Sequence, residues 1–145
     1  MNKLLVYTFR TFPDICELKK QFDNVFVLGT LKKDINLLCQ KIIQNKPSFI
    51  LGVAKSTSKD SYFEPLTINQ FNKDKKVINH LNQAYDLYVP NLQNTGFTLS
   101  KKPTTTFCNY AMYKIECFLR KENMRIDHSF VHLSQDKIKE LHILL

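Results

Sequence analysis

The chain of 145 residues carries 21 Lys and Arg against 13 Asp and Glu, a net charge of +8, with 43% hydrophobic and 12% aromatic residues. This length supplies one domain (1–145) with a full core, and no stretch approaches membrane-spanning length, so no membrane function is expected. The positive charge could serve a phosphate-rich partner. Only three basic residues are arginine, however (Arg10, Arg120 and Arg125), and the lysines are scattered through every segment as on a solvated surface, so nucleic acid is not an expected partner.

The N-terminal apolar run is too brief for a signal peptide and reads as a first strand over residues 4–9, giving a cytoplasmic protein as the expectation. A turn at Thr11-Phe12-Pro13 leads to a short helix over 14–22, which Asp14 can cap. Residues 24–31 read as a second strand ending at Gly29. In the next segment Ile35, Leu38, Cys39, Ile42 and Ile43 recur on one helical face until Pro47 stops the helix. Residues 48–54 are apolar enough for a central strand covered on both faces.

The polar run at 55–61 is a loop at the end of that strand, where open α/β sheets carry their sites. Extended structure resumes over 62–71, and a helix is expected over 75–88, closed by Pro90. A further strand over 94–100 approaches Thr104-Thr105-Thr106, whose hydroxyls can cap a helix running from Phe107 to Lys121. A strand over 126–133 follows, then a last helix over 135–144 capped by Ser134. Strands alternating with helices predict a three-layer α/β/α single domain with a mostly parallel, or mixed, central sheet.

Four cysteines, Cys16, Cys39, Cys108 and Cys117, show no paired spacing of the metal-binding kind, so free thiols and no metal are expected. Cys39 falls on an apolar stripe and reads as core. Cys108 stands in the first helical turn after the threonines, where the helix dipole favours thiolate. It is a candidate nucleophile, with a buried structural cysteine as the alternative. A cysteine becomes a hydrolytic nucleophile when an imidazole can take its proton. Of the four histidines, His80 and His142 read as surface residues, whereas His128 and His132 share one face of the last strand. His132 lies nearer the strand's C-terminal end, where a site would be.

Phe107-Cys108-Asn109-Tyr110 at a helix start, with Phe130-Val131-His132-Leu133 twenty-four positions beyond the cysteine, resembles pyroglutamyl peptidase I, the pyrrolidone-carboxylate peptidase family of cysteine exopeptidases. The segment Glu64-Pro65-Leu66-Thr67-Ile68-Asn69 is similar to the family's Glu-x-x-Ala-x-Asn. Thr8-Phe9-Arg10-Thr11-Phe12-Pro13 keeps both aromatics of the family's Gly-Phe-x-x-Phe-Gly. The resemblance implies a phosphorylase/hydrolase-like fold and Cys108 as nucleophile, His132 as general base and acid, and Glu64 behind the imidazole. It implies Phe9, Phe12, Phe107 and Asn69 as substrate-binding residues, a peptide with a pyroglutamyl N-terminus as partner, no cofactor, and compatibility with a homo-oligomer.

The chain departs from the family pattern in three places. Pro103-Thr104 replaces Ala-Gly before the cysteine, Asn72-Lys73-Asp74 stands where the family has Asp-Ala-Arg, and the chain is shorter than the usual relatives. A second reading is a binding protein that keeps the fold and recognises a peptide terminus or another partner.

Overall fold

The strand β1 (Leu4–Phe9) is buried from Leu5 to Phe9, and its side chains alternate between two separate apolar clusters. Leu5, Tyr7 and Phe9 join one, and Val6 joins the other. The same alternation runs along β3 (Phe49–Lys55), where Ile50 and Ala54 oppose Leu51 and Val53. A strand buried on both faces must be covered by helices on both, which is the layering seen in this computed structural model. The structure describes residues 3–71, 78, 83–134 and 137–145.

One face is covered by α2 (Leu31–Asn45) and α3 (Phe107–Lys121), which contribute Ile35, Leu38, Ile42, Ala111, Met112, Ile115 and Leu119 to the first cluster. The opposite face is covered by α1 (Ile15–Gln21) and by a C-terminal 3-10 turn, Ile138–Glu140, that runs into the short α4 (Leu141–Leu144). Leu18, Ile138 and Leu141 are their buried residues there.

Six strands form the central sheet in the order β2-β1-β3-β8-β4-β7. Strands β2 (Val25–Leu28), β1, β3 and β8 (Asp127–Leu133) are mutually parallel. β4 (Ser61–Phe63) runs antiparallel to β8, and β7 (Phe97–Leu99) is parallel to β4, so the sheet is mixed. The register of β4 on β8 sets Tyr62 opposite His132 and Phe63 opposite Val131. Ser61 and Ser134 lock this junction, since their hydroxyls lie 2.9 Å apart and the Ser134 N–H donates to Ser61 Oγ at 2.8 Å.

Three local expectations are corrected. Asp14 stands at the N-cap position of α1 but makes no side-chain cap hydrogen bond, and α2 is instead anchored by Asp34, whose carboxylate accepts from Gly29 and Thr30 N–H at 2.6 and 2.7 Å. Of the helix expected over 75–88, residues 75–77 and 79–82 lie outside those described, and Tyr85–Asp86 is a strand. β6 (Tyr85–Asp86) pairs antiparallel with β5 (Leu66–Thr67), because Tyr85 and Leu87 point inward while Asp86 and Tyr88 point outward, a period of two. Ser134 does not cap a long terminal helix: it holds β4 to β8, and of the expected helix, residues 135 and 136 lie outside the described chain.

Gly52, at the centre of β3, lies between the rings of Tyr7 and Phe130, which come from the strands on either side. A Cβ at this position would overlap both rings. Gly52→Ala is therefore expected to destabilise the fold by about 3 kcal/mol through overpacking, visible as a lowered urea midpoint with an unchanged slope.

Burial also raises the pKa of buried weak acids. The Cys39 thiol rises from 9.0 to about 11, held back in part by Lys114, and the Tyr7 hydroxyl lies well above 10.0 because of burial first and the nearby Cys108 and Glu116 second. Such groups keep their protons in the fold after the unfolded chain has lost them. Their contribution to stability is complete below about pH 9 and is lost as pH rises through 11. A thermal midpoint followed by circular dichroism should hold its value up to pH 9 and fall above it.

Candidate active site

The turn before α3 places its first residues. Thr106 is the N-cap in extended conformation, its Oγ1 accepts the Cys108 N–H at 3.4 Å, and Thr104 Oγ1 supports Thr106 from 2.9 Å. The threonine capping expected from sequence is present. Next to the cysteine, the buried Asn109 side chain ties α3 to the segment after Glu64. Asn109 Oδ1 accepts from Thr67 Oγ1 at 2.7 Å and Ile68 N–H at 3.1 Å, while its Nδ2 donates to the carbonyls of Ile68 and Gln70 at 2.8 Å each. All the hydrogen-bonding capacity of one buried amide thus goes into fixing Glu64's segment against the helix that carries Cys108.

Glu64 follows β4 directly, and its N–H donates to the Phe130 carbonyl on β8 at 2.9 Å. This draws the carboxylate beside His132, with Glu64 Oε1 and His132 Nε2 at 3.1 Å. Both side chains are almost wholly buried. The contact is a close pairing without hydrogen-bond alignment, since His132 Nε2 and Glu64 Oε2 have no hydrogen-bond partner. Two aromatic rings pack against the imidazole. Tyr62 stacks on it with ring centroids 4.6 Å apart and planes 22° apart, and Phe130 approaches at 5.2 Å and 60°.

Cys108 and His132 line one cavity of about 290 Å³, together with Phe9, Phe12, Tyr62, Ala54, Lys55 and the rim threonines Thr11, Thr57, Thr104 and Thr106. Phe107 completes the wall, edge to face with Phe9 at 4.8 Å and itself 42% exposed at the mouth. Of the sequence-derived candidates, Cys108, His132, Phe9, Phe12 and Phe107 are brought together here, with Glu64 immediately behind His132. Asn69 stands apart. It is not a lining residue, and its Oδ1 accepts from the Ile78 N–H at 2.6 Å, so its visible work is to hold the chain beyond Glu64.

One expectation about the cysteine is reversed. The helix start was expected to favour thiolate, yet burial pushes the Cys108 thiol from 9.0 up to about 12. The hydrogen bond with Thr106 and the backbone N–H at the helix start pull it down, while Glu64 adds to the rise. Dipole and hydrogen bonds are present, and desolvation outweighs them. Tyr62 shifts upward for related reasons, burial first and then Glu64 and Cys108, opposed by a hydrogen bond with Thr57.

Sequence reasoning singled out neither Tyr62 nor Lys55. Tyr62 could have been found from its place two residues before Glu64, because alternate residues of an extended segment share a face. The position of Lys55 at the C-terminal end of β3 is of the kind that lines sites in open sheets. His128, the other histidine on this face, is fully buried at the far end of β8 and accepts or donates at 2.8 Å to Tyr7 Oη, with Glu116 at 3.6 Å from its other nitrogen. Among the described residues no group of three or more His, Cys, Asp or Glu is arranged to hold a metal ion, and no helix is long and apolar enough to cross a membrane.

No family model and no curated protein matches the sequence. Solved structures do match. Pyroglutamyl peptidase I from Bacillus amyloliquefaciens superposes with a TM-score of 0.77 at 15% identity, over 92% of this chain and 82% of that one. Pyrrolidone carboxyl peptidase from Thermococcus litoralis gives 0.72 at 18% identity over 92% and 76%, and a variant of the P. furiosus enzyme gives 0.72 at 19% identity over 90% and 80%. The α/β/α layers around a mostly parallel six-stranded sheet are therefore those of the pyroglutamyl peptidases, and this chain has their fold.

Proposed function

We propose that the chain is a divergent cysteine peptidase of the pyroglutamyl peptidase type, which removes an N-terminal pyroglutamyl residue from peptides. The observation that carries this reading is His132, backed by the buried Glu64 at 3.1 Å, on the wall of a cavity that also holds Cys108 at a helix start and three phenylalanines. A flat, largely apolar lactam ring suits the Phe9, Phe12 and Phe107 wall. Cys108 is in no disulfide, the form a thiol enzyme needs.

In this mechanism the resting cysteine is neutral, since burial holds its proton. His132 takes that proton as Sγ attacks the pyroglutamyl carbonyl, through the ring nitrogen not occupied by Glu64. The buried carboxylate orients the ring and stabilises the imidazolium formed in this step. Collapse of the tetrahedral intermediate expels the shortened peptide, whose amine receives the proton from His132, and leaves a thioester on Cys108. Water, deprotonated by the same imidazole, then releases pyroglutamate and restores the thiol. Backbone N–H groups at the start of α3 are the donors available to the oxyanion, each of a kind that contributes about 3 kcal/mol where measured. Lys55 supplies the positive charge in the cavity, as a point charge without the fork geometry of arginine.

A specific observation favours a second reading. A thiol held at about 12 is a poor nucleophile in the free protein, as expected of a binding module that keeps the cavity and recognises a blocked peptide terminus without cleaving it. Release of a fluorophore from a pyroglutamyl amide separates the two. The peptidase reading expects turnover that disappears in Cys108→Ser and falls by about 10²- to 10⁴-fold in His132→Ala and in Glu64→Gln. Saturable binding of the amide with no release from the unsubstituted protein would sink it and favour the binding module.

The Asn109 anchor yields a separate expectation. Asn109→Ala leaves the Ile68 N–H and the Ile68 and Gln70 carbonyls without their side-chain partner, leaves the Thr67 hydroxyl only its 3.3 Å bond to the residue 109 carbonyl, and loosens Glu64's segment from α3. It should lower stability by about 2–4 kcal/mol and reduce kcat more than it raises KM, as read from denaturation and steady-state rates on one preparation.

A further inference from the structure

The Glu64 contact leaves one problem in the site. A catalytic imidazole on a strand must be held in its plane, and its close contact with Glu64 lacks the alignment of a hydrogen bond. A stacked ring adds a second constraint. Tyr62 lies directly across the antiparallel β4–β8 pair from His132, and the two rings stack at 4.6 Å with planes 22° apart. Phe130, two residues before His132 on the same strand, presents its ring to the imidazole at 5.2 Å. Two residues after Tyr62, on the same face of the extended segment, comes Glu64. A single antiparallel strand therefore brings both the carboxylate and the aromatic face to one imidazole.

We propose that Tyr62 is a positioning residue of the candidate site, which clamps His132 against Phe130 and favours its cationic form during proton transfer from Cys108. This inference rests on the peptidase reading above and assigns a task to a residue which that mechanism does not use. An aromatic face attracts a cation, so the stack is stronger for imidazolium than for imidazole. The groups facing His132 from the surrounding elements are Glu64 after β4, Cys108 on α3, Lys55 at the end of β3 and Tyr62 itself. Lys55 and Cys108 do not supply negative charge at neutral pH, which leaves Glu64 and the Tyr62 ring as the two features that stabilise the cation. The ring, rather than the hydroxyl, makes the stack.

The test uses Tyr62→Leu and Tyr62→Phe in the full chain, with Cys108 alkylation by iodoacetamide at pH 7.5 followed on the Cys108 peptide by mass spectrometry. Cys16, exposed at the surface, serves as internal reference. This readout needs no substrate. In the unsubstituted protein, alkylation of Cys108 depends on His132, so His132→Ala should slow it. Tyr62→Leu should slow it by about 5- to 10-fold, and Tyr62→Phe should restore it to within about twofold. Where a pyroglutamyl amide is turned over, Tyr62→Leu should lower kcat by a similar factor and Tyr62→Phe should recover it.

If His132→Ala slows alkylation while Tyr62→Leu, folded by circular dichroism, leaves it unchanged, the clamp is wrong and the Cys–His pairing stands. If His132→Ala has no effect, the pairing fails and the clamp falls with it. A Tyr62→Phe variant as impaired as Tyr62→Leu would also overturn the proposal, because it would assign the effect to the hydroxyl and not to the stacked ring.

Discussion

The site depends on the cost of burying Glu64. A carboxylate removed from water is stable only with a compensating partner, and here the partner in reach is the imidazole of His132 at 3.1 Å. This requirement explains why so much of the local structure serves one segment. The Glu64 N–H is pinned to β8 through Phe130, the preceding strand is locked to β8 by Ser61 and Ser134, and the following residues are fixed to α3 by Asn109. Each constraint acts on a different part of the segment that carries the carboxylate. Together they make the approach of Glu64 to His132 a consequence of the fold and not of one flexible side chain, which is what a preorganised acid–base pair needs.

The same face of the sheet holds a second buried pair, and the contrast is informative. His128 and His132 are four residues apart on β8 and point the same way, and each has a carboxylate neighbour. His128 is enclosed by Tyr7, at 2.8 Å, and by Glu116, which also meets Arg120 at 3.8 Å. No part of that imidazole reaches the cavity with Cys108. His132 does, because it stands where the parallel strands end and the chain turns away. Position along the strand, rather than residue type or partner, separates the histidine that can do chemistry from the one that satisfies a core.

Much of this was legible in the sequence, for physical reasons that also mark where legibility ended. The β1, β3 and β8 strands are continuous apolar runs or clean alternations, and α2 and α3 carry apolar residues at helical spacing, so their burial dictated their structure. The positions of Cys108 at the start of α3 and of His132 near the end of β8 were readable from such elements, whereas Glu64 was singled out only through the family resemblance of its segment. What could not be read depended on pairing between distant segments. Tyr85 and Asp86 become a strand through β5, eighteen to twenty residues earlier, and Ser134 is drawn to Ser61 seventy-three residues away. Local helix periodicity and capping preference had no access to those partners, and tertiary pairing overrode both.

The thiol shows the same competition in electrostatic form. The helix start and the Thr106 hydroxyl favour the thiolate of Cys108, and sequence can see both. Burial opposes them, and its strength is set by residues that close over the sulfur from several strands, so the balance appears only in the fold. The balance comes down at about 12, so the proposed mechanism assigns proton removal to His132 and stabilisation of the resulting imidazolium to Glu64. A substrate ring entering the phenylalanine-lined cavity would displace water and strengthen that charge pairing further, since electrostatic interactions grow as the site dries. The neutral resting cysteine and the buried carboxylate are thus two halves of one arrangement. In the proposed mechanism the first holds the nucleophile's proton until His132 takes it, and the second stabilises the imidazolium that results.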